Sequence, residues 1–147
     1  MDRVKQLLDE KGGAIYSVTP VTTVWDAVTT MAEHHIGAIL VMTAEGHVVG
    51  IFSERDLLVR VLLANKDAKL TPVRDVMSTD LVYVTPHTPV REAMAVMTQR
   101  RCRHLPVMEG PSLLGMVSIG DCTRFISRDQ DYTIRHLQDF IQNKYPG

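Results

Sequence analysis

The chain has 147 residues, enough to bury the core of one domain or two small ones, and its 45% apolar and 22% charged residues are those of an ordinary globular protein. A formal net charge of -1 gives no overall attraction to nucleic acid or to an anionic membrane surface. No apolar run approaches a membrane span, and the start, Met1-Asp2-Arg3-Val4-Lys5-Gln6, has no signal-peptide core, so a cytoplasmic location is expected.

In chain order, residues 2–11 place Val4, Leu7 and Leu8 on one helical face, with Gly12-Gly13 as the stop. This lead helix, residues 1–13, precedes a first unit at 14–70. Ala14–Val18 reads as a strand ended by Thr19-Pro20, and Thr22 can cap a helix whose stripe is Val24, Ala27, Val28, Met31 and Ala32. Ala38–Met42 is continuously apolar, which suits a strand covered on both faces, and Val48–Phe52 returns through the turn at Ala44–His47 as a hairpin. Ser53 then starts a helix with Leu57, Leu58, Val61 and Leu62 as its expected buried stripe.

A second unit, residues 71–130, opens with Leu70–Met77 after the polar linker Asn65–Lys69. Leu81–Val84 reads as its first strand, Thr88 and Pro89 as a helix start with proline at the first helical position, and Val90, Ala93, Met94 and Met97 as the helix stripe. Leu105–Met108 and Leu113–Val117 supply two more strands around Glu109–Ser112. Residues 131–147 carry a last amphipathic helix, about Tyr132 to Asn143, with Ile134, Leu137, Phe140 and Ile141 on one side. The eight methionines fall at stripe and strand positions and read as core filler.

The two units are copies of one another. Ser17–Ala27 aligns with Tyr83–Ala93, and the same register pairs Met31 with Met97 and Val41 with Val107. One residue is lost in the turn, after which Gly50, Ser53 and Asp56 meet Gly115, Ser118 and Asp121. Each Gly-x-x-Ser-x-x-Asp sits where a strand runs into a helix. Two readings of it stand side by side. Ser-x-x-Asp is a capping box, in which the hydroxyl accepts from the third helical N–H and the carboxylate reaches back. It is equally a place where helix-start N–H groups and a hydroxyl suit a phosphate, while the carboxylate accepts from two ribose hydroxyls.

With the Thr-Pro starts, Ile36–Val41, Cys102–Val107 and the two junctions in register, the chain resembles paired cystathionine β-synthase (CBS) domains, especially small stand-alone bacterial members. The resemblance runs from about Gly12 to Ser127. It implies an α+β fold of two β-α-β-β-α units packed through their sheets with pseudo-twofold symmetry, and clefts that take adenosine compounds. AMP, ADP or ATP is the first expectation, NAD(H) the second and S-adenosylmethionine the third. Carried over by position, Asp56 and Asp121 would take the ribose hydroxyls, and Ser53 and Ser118 ribose or phosphate. Thr19 and Thr85 would line the clefts, while Ile36, Gly37 and Ala38, with Cys102, Arg103 and His104, would face the adenine. Arg55, which has Gly120 as its counterpart, would reach a phosphate from the first junction only. The resemblance further implies a homodimer that signals to an effector protein.

Other chemistries find little in the sequence. Cys102 and Cys122 form no C-x-x-C pair, and the six histidines show no i, i+4 spacing for a metal. Arg100, Arg101, Arg103 and His104 form the one basic cluster. It reads as a solvated helix end, as a phosphate contact, and least well as a nucleic-acid footprint. No nucleophile stands with a base at a recognisable spacing, so no enzyme activity is expected.

Overall fold

The computed structural model describes residues 2–12 and 14–129. The helix expected at 131–147 lies outside them. Within the described residues the fold is α+β, and it divides into two compact bodies.

The body of the first repeat comprises Ala14–Tyr83 with Gly110–Leu113. Its sheet has the order β1-β2-β3, with β1 (Ser17–Val18) parallel to β2 (Ala38–Met42) and β3 (Val48–Ser53) antiparallel to β2. Helix α2 (Val24–Glu33) covers it. Ile39, Val41 and Phe52 from the strands pack with Val24, Ala27 and Met31 from α2 in one buried cluster. Only two residues of the expected strand Ala14–Val18 pair, and Ala32 at the end of the α2 stripe is exposed. The α2 cap is Thr23, which accepts from the Asp26 N–H at 3.2 Å, and not Thr22.

Helix α3 opens with an α-turn, Glu54–Asp56, and continues in π geometry over Leu57–Leu62. The π stretch corrects the expected stripe, because only Val61 is fully buried while Leu58 and Leu62 are 55% and 61% exposed. Bonds of the i→i+5 kind, such as Leu63 N–H to Leu58 O at 3.0 Å, turn the chain less per residue than an α-helix. A stripe with a 3.6-residue period therefore slides off the core.

Of the described residues, the body of the second repeat comprises 2–12, Val84–Glu109 and 114–129. It holds α1 (Val4–Lys11), α4 (Val90–Arg100), the strand β4 (His104–Glu109), the strand β5 (Ser112–Ser118) from Leu114 onward, and α5 (Ile119–Asp129). Leu81–Val84, expected as a strand, contributes only a parallel bridge from Val84 to Val107. Pro89 takes the N-cap position of α4, one residue before the expected place.

The repeat divides the chain at 13/14 and 70/71, but packing divides it differently. The segment ahead of each repeat is built into the body of the other. Val4 N–H donates to Thr88 O at 2.9 Å, Lys5 N–H to Pro86 O at 2.9 Å, and Val90 N–H to Asp2 O at 3.0 Å. In the first-repeat body Val73 N–H donates to Thr22 O at 2.7 Å, Arg74 N–H to Pro20 O at 3.1 Å, and Val24 N–H to Thr71 O at 2.9 Å. Buried Val4 and Leu7 thus match buried Val73 and Val76. The duplication reaches further back than Ser17, in the pattern Val-basic-x-apolar-apolar of Val4–Leu8 and Val73–Met77.

Candidate functional site: two strand-to-helix junctions

Both junctions are assembled by the same backbone contacts. Ala38 at the start of β2 faces Ser53 at the end of β3, and Gly37 O accepts the first helical N–H, that of Glu54, at 3.0 Å. In the second copy Arg103 O accepts the Ile119 N–H at 2.8 Å. Ile36, Gly37, Ala38, Ser53 and Asp56 therefore share one end of the first strand pair. Cys102, Arg103, His104, Ser118 and Asp121 share the matching end of the second.

The glycines of the motif are explained by packing. A Cβ on Gly50 would meet Met77, whose Cγ lies at 2.9 Å, and one on Gly115 would meet Leu8 Cδ2 at 3.0 Å. Each glycine lets the segment ahead of the other repeat lie close over the strand.

The capping box is formed in both copies. Asp56 N–H donates to Ser53 Oγ at 3.3 Å and Ser53 N–H to Asp56 Oδ2 at 3.0 Å. The second copy has Asp121 N–H to Ser118 Oγ at 3.0 Å and Ser118 N–H to Asp121 Oδ2 at 2.9 Å. With Gly37 O and Arg103 O taking the first helical N–H groups, few backbone donors are left to hold a phosphate.

Each carboxylate also takes side-chain donors. Asp56, only 6% exposed, accepts the Ser53 hydroxyl at Oδ2 (3.2 Å) and the Ser78 hydroxyl at Oδ1 (2.9 Å), with Arg60 Nε at 3.6 Å. Asp121 accepts Lys11 Nζ at Oδ2 (2.7 Å) and Arg124 Nη2 at Oδ1 (2.8 Å). Burial works to raise the Asp121 pKa, but the Lys11 and Ser118 hydrogen bonds and the Lys11 charge outweigh it and hold the carboxyl below its ordinary value. The same burial, with Asp121 as a neighbour, pushes the Cys122 thiol up to about 11. Burial raises the Cys102 thiol against the opposing charge of Arg100. Neither cysteine is activated as a thiolate.

Arg55, exposed on the first turn of α3, makes no hydrogen bond or ion pair among the described residues, and the same holds for the Arg103 guanidinium. Thr19 and Thr85 stand elsewhere. Val18 lies opposite Val41, so Thr19 follows at the Met42 end of β2, about 13 Å along the strand from Ala38 at ~3.3 Å per residue. Val84 opposite Val107 puts Thr85 at the same far end of its own body. Their hydroxyls meet those of Thr22 at 3.1 Å and Thr88 at 3.3 Å, closing the turn into α2 and α4.

Three donors missed by sequence reading, Lys11, Ser78 and Arg124, complete these sites. Lys11 and Ser78 come from the segments that exchange between bodies, which no local motif reveals. Arg124, three residues after Asp121 on the same helix, was legible from i, i+3 spacing. Among the described residues no three His, Cys, Asp or Glu side chains gather as a metal site.

The two stretches that carry these junctions each match a known family. The CBS domain family matches residues 13–63 and 73–128, and the chain belongs to it. It is 38% identical over 127 residues to the CBS domain-containing protein CBSX3, mitochondrial, of Arabidopsis thaliana, covering 84% of this chain and 62% of that one. It is 35% identical over 107 residues to the CBS domain-containing protein YhcV of Bacillus subtilis, covering 73% and 75% of the two chains. Among solved structures, a CBS-domain protein of Burkholderia ambifaria whose name proposes a signal-transduction role is 40% identical, with a TM-score of 0.83 over 87% of this chain and 96% of that one. No helix of the described residues is long and apolar enough to cross a membrane.

Proposed function

We propose that this CBS-pair protein is a regulatory sensor of adenosine nucleotides, which changes conformation on binding and passes the change to a partner protein. The observation that carries the reading is the junction itself. Twice over, a largely buried carboxylate lies at a helix start beside the backbone of a strand entry, held by side-chain donors that a ribose diol can replace. Arg55 and Arg103 are at hand for phosphate, which guanidinium binds bidentately. AMP, ADP or ATP is the first ligand, NAD(H) the second and S-adenosylmethionine the third. The working form is a homodimer, its effector is a protein, and neither nucleic acid nor a membrane takes part. The module acts without catalysis.

The test is thermal unfolding with AMP, ADP, ATP, NAD, NADH and S-adenosylmethionine. A ligand at 100 times its Kd adds about 2.7 kcal/mol, a midpoint rise of about 5 to 11 °C at this size. Asp56→Ala and Asp121→Ala each remove a charge-assisted hydrogen bond and weaken binding at their own junction by about 10- to 150-fold. No shift with any of these compounds at millimolar concentration rejects the sensor.

One observation favours a second reading, a ligand-independent dimerisation scaffold. Both carboxylates are satisfied as capping boxes without a ligand, and Leu58, Val59 and Leu62 on α3, with Leu63 just after it, leave apolar surface exposed. On that reading the two alanine variants lose about 0.5 to 2 kcal/mol of stability and change no ligand response.

A further inference from the structure

Asp56 and Asp121 occupy the same place in the repeat, and each is held by a donor from the segment ahead of the other repeat. The donors differ in kind. Ser78 offers Asp56 a hydroxyl at 2.9 Å, which can turn to another acceptor. Lys11 offers Asp121 an ammonium at 2.7 Å, which also donates to Met116 O at 2.7 Å. With Arg124 on the other oxygen, both oxygens of Asp121 are occupied by cations.

Lys11 is the last residue of α1, and the two halves of that helix are secured differently. Its N-terminal half is fixed by backbone bonds from Val4 and Lys5 and by the burial of Val4 and Leu7. Leu8 packs over Gly115, and beyond it the exposed residues Asp9–Lys11 are held from outside by side-chain contacts: Lys11, and an ion pair from Glu10 to Arg128 at 2.7 Å. The Glu10–Arg128 pair is exposed on both sides, where such pairs contribute little. The Asp121 carboxylate is 10% exposed, so the Lys11 contact is the stronger tie.

We propose that Lys11 is a latch that a bound nucleoside opens. A vicinal diol and the ammonium compete for one carboxylate, so filling the second junction drives Lys11 off Asp121 and frees the last turn of α1. At the first junction the cation, Arg60 at 3.6 Å, lies on α3 itself, and the segment ahead of the other repeat offers only the neutral Ser78 hydroxyl, so no charged latch ties that segment to Asp56. The two junctions therefore differ in affinity, and only the second moves the lead helix. This inference rests on the reading of the carboxylates as ribose acceptors.

The experiment is a calorimetric titration with AMP and NAD of the full chain and of Lys11→Met, Asp56→Ala and Asp121→Ala, with hydrogen exchange followed at Asp9–Gly12. Methionine keeps an apolar stem and removes the charge. The expected result is faster exchange at Asp9–Gly12 in the unsubstituted chain on ligand addition. Lys11→Met should show that fast exchange without ligand and bind about three- to fivefold more tightly, the worth of a partly exposed ion pair. Unchanged or weaker binding by Lys11→Met, or exchange that ligand leaves unchanged, overturns the latch while the sensor stands. Binding that survives in Asp121→Ala and is lost in Asp56→Ala overturns it too. No binding by any form rejects the sensor itself, and the latch with it.

Discussion

At the scale of single residues, the two aspartates do more than an N-cap requires. A capping carboxylate needs one backbone N–H, yet Asp121 carries two cations as well and Asp56 two hydroxyls and an arginine. The consequence for Asp121 is a definite pH dependence. Its folded pKa is lowered, so it binds fewer protons in the folded than in the unfolded chain, and its contribution is complete above the unfolded value of about 3.9. The contribution is lost as pH falls through the lower folded value. Urea unfolding of the unsubstituted chain and Asp121→Asn should therefore differ fully at pH 7, with the gap closing as pH drops below about 4. A gap that widens with acid would mean that Lys11 and Arg124 do not hold the carboxylate in solution.

Between residue and element lies the glycine of the motif, which sequence inspection finds without explaining. It repeats because Met77 and Leu8 cross the strand at that point, not because the backbone turns there. Gly50→Ala should cost about 1 to 3 kcal/mol by overpacking, since the Cγ of Met77, deep in its chain, must move. Gly115→Ala should cost less, because it meets only a terminal methyl of Leu8, which can rotate away. Equal losses in urea unfolding would reject this account. For α3, the apolar spacing of Leu57, Leu58, Val61 and Leu62 fits an α-helix, but the chain winds in π geometry there and leaves Leu58 and Leu62 exposed. Local periodicity carries no information on it.

For the molecule as a whole, the lead segment belongs by sequence to the first repeat and by packing to the second. Leu7→Ala removes a side chain that is 2% exposed and should cost about 2 to 5 kcal/mol. The loss should register as faster hydrogen exchange in β4, α4 and α5, while β1, β2 and β3 keep their protection. Faster exchange confined to β1–β3 would refute the assignment of the lead segment.

The sequence alone determined the duplication and the family, through a pattern that recurs along the chain. It determined too the capping boxes and most of the strand and helix order, which depend on spacing within about a dozen residues, although Leu81–Val84, expected as a strand, makes only a bridge. It also marked Ser53, Asp56, Ser118 and Asp121 as partners, since an Ser-x-x-Asp pair must meet across one helical turn. Tertiary structure decided which donors those carboxylates receive, and it placed Thr19 and Thr85 at the far strand ends. Lys11 reaches Asp121 across 110 residues of chain and Ser78 reaches Asp56 across 22. Contacts of that kind follow from how segments exchange between the two bodies, and no local pattern of apolar and polar residues encodes that choice.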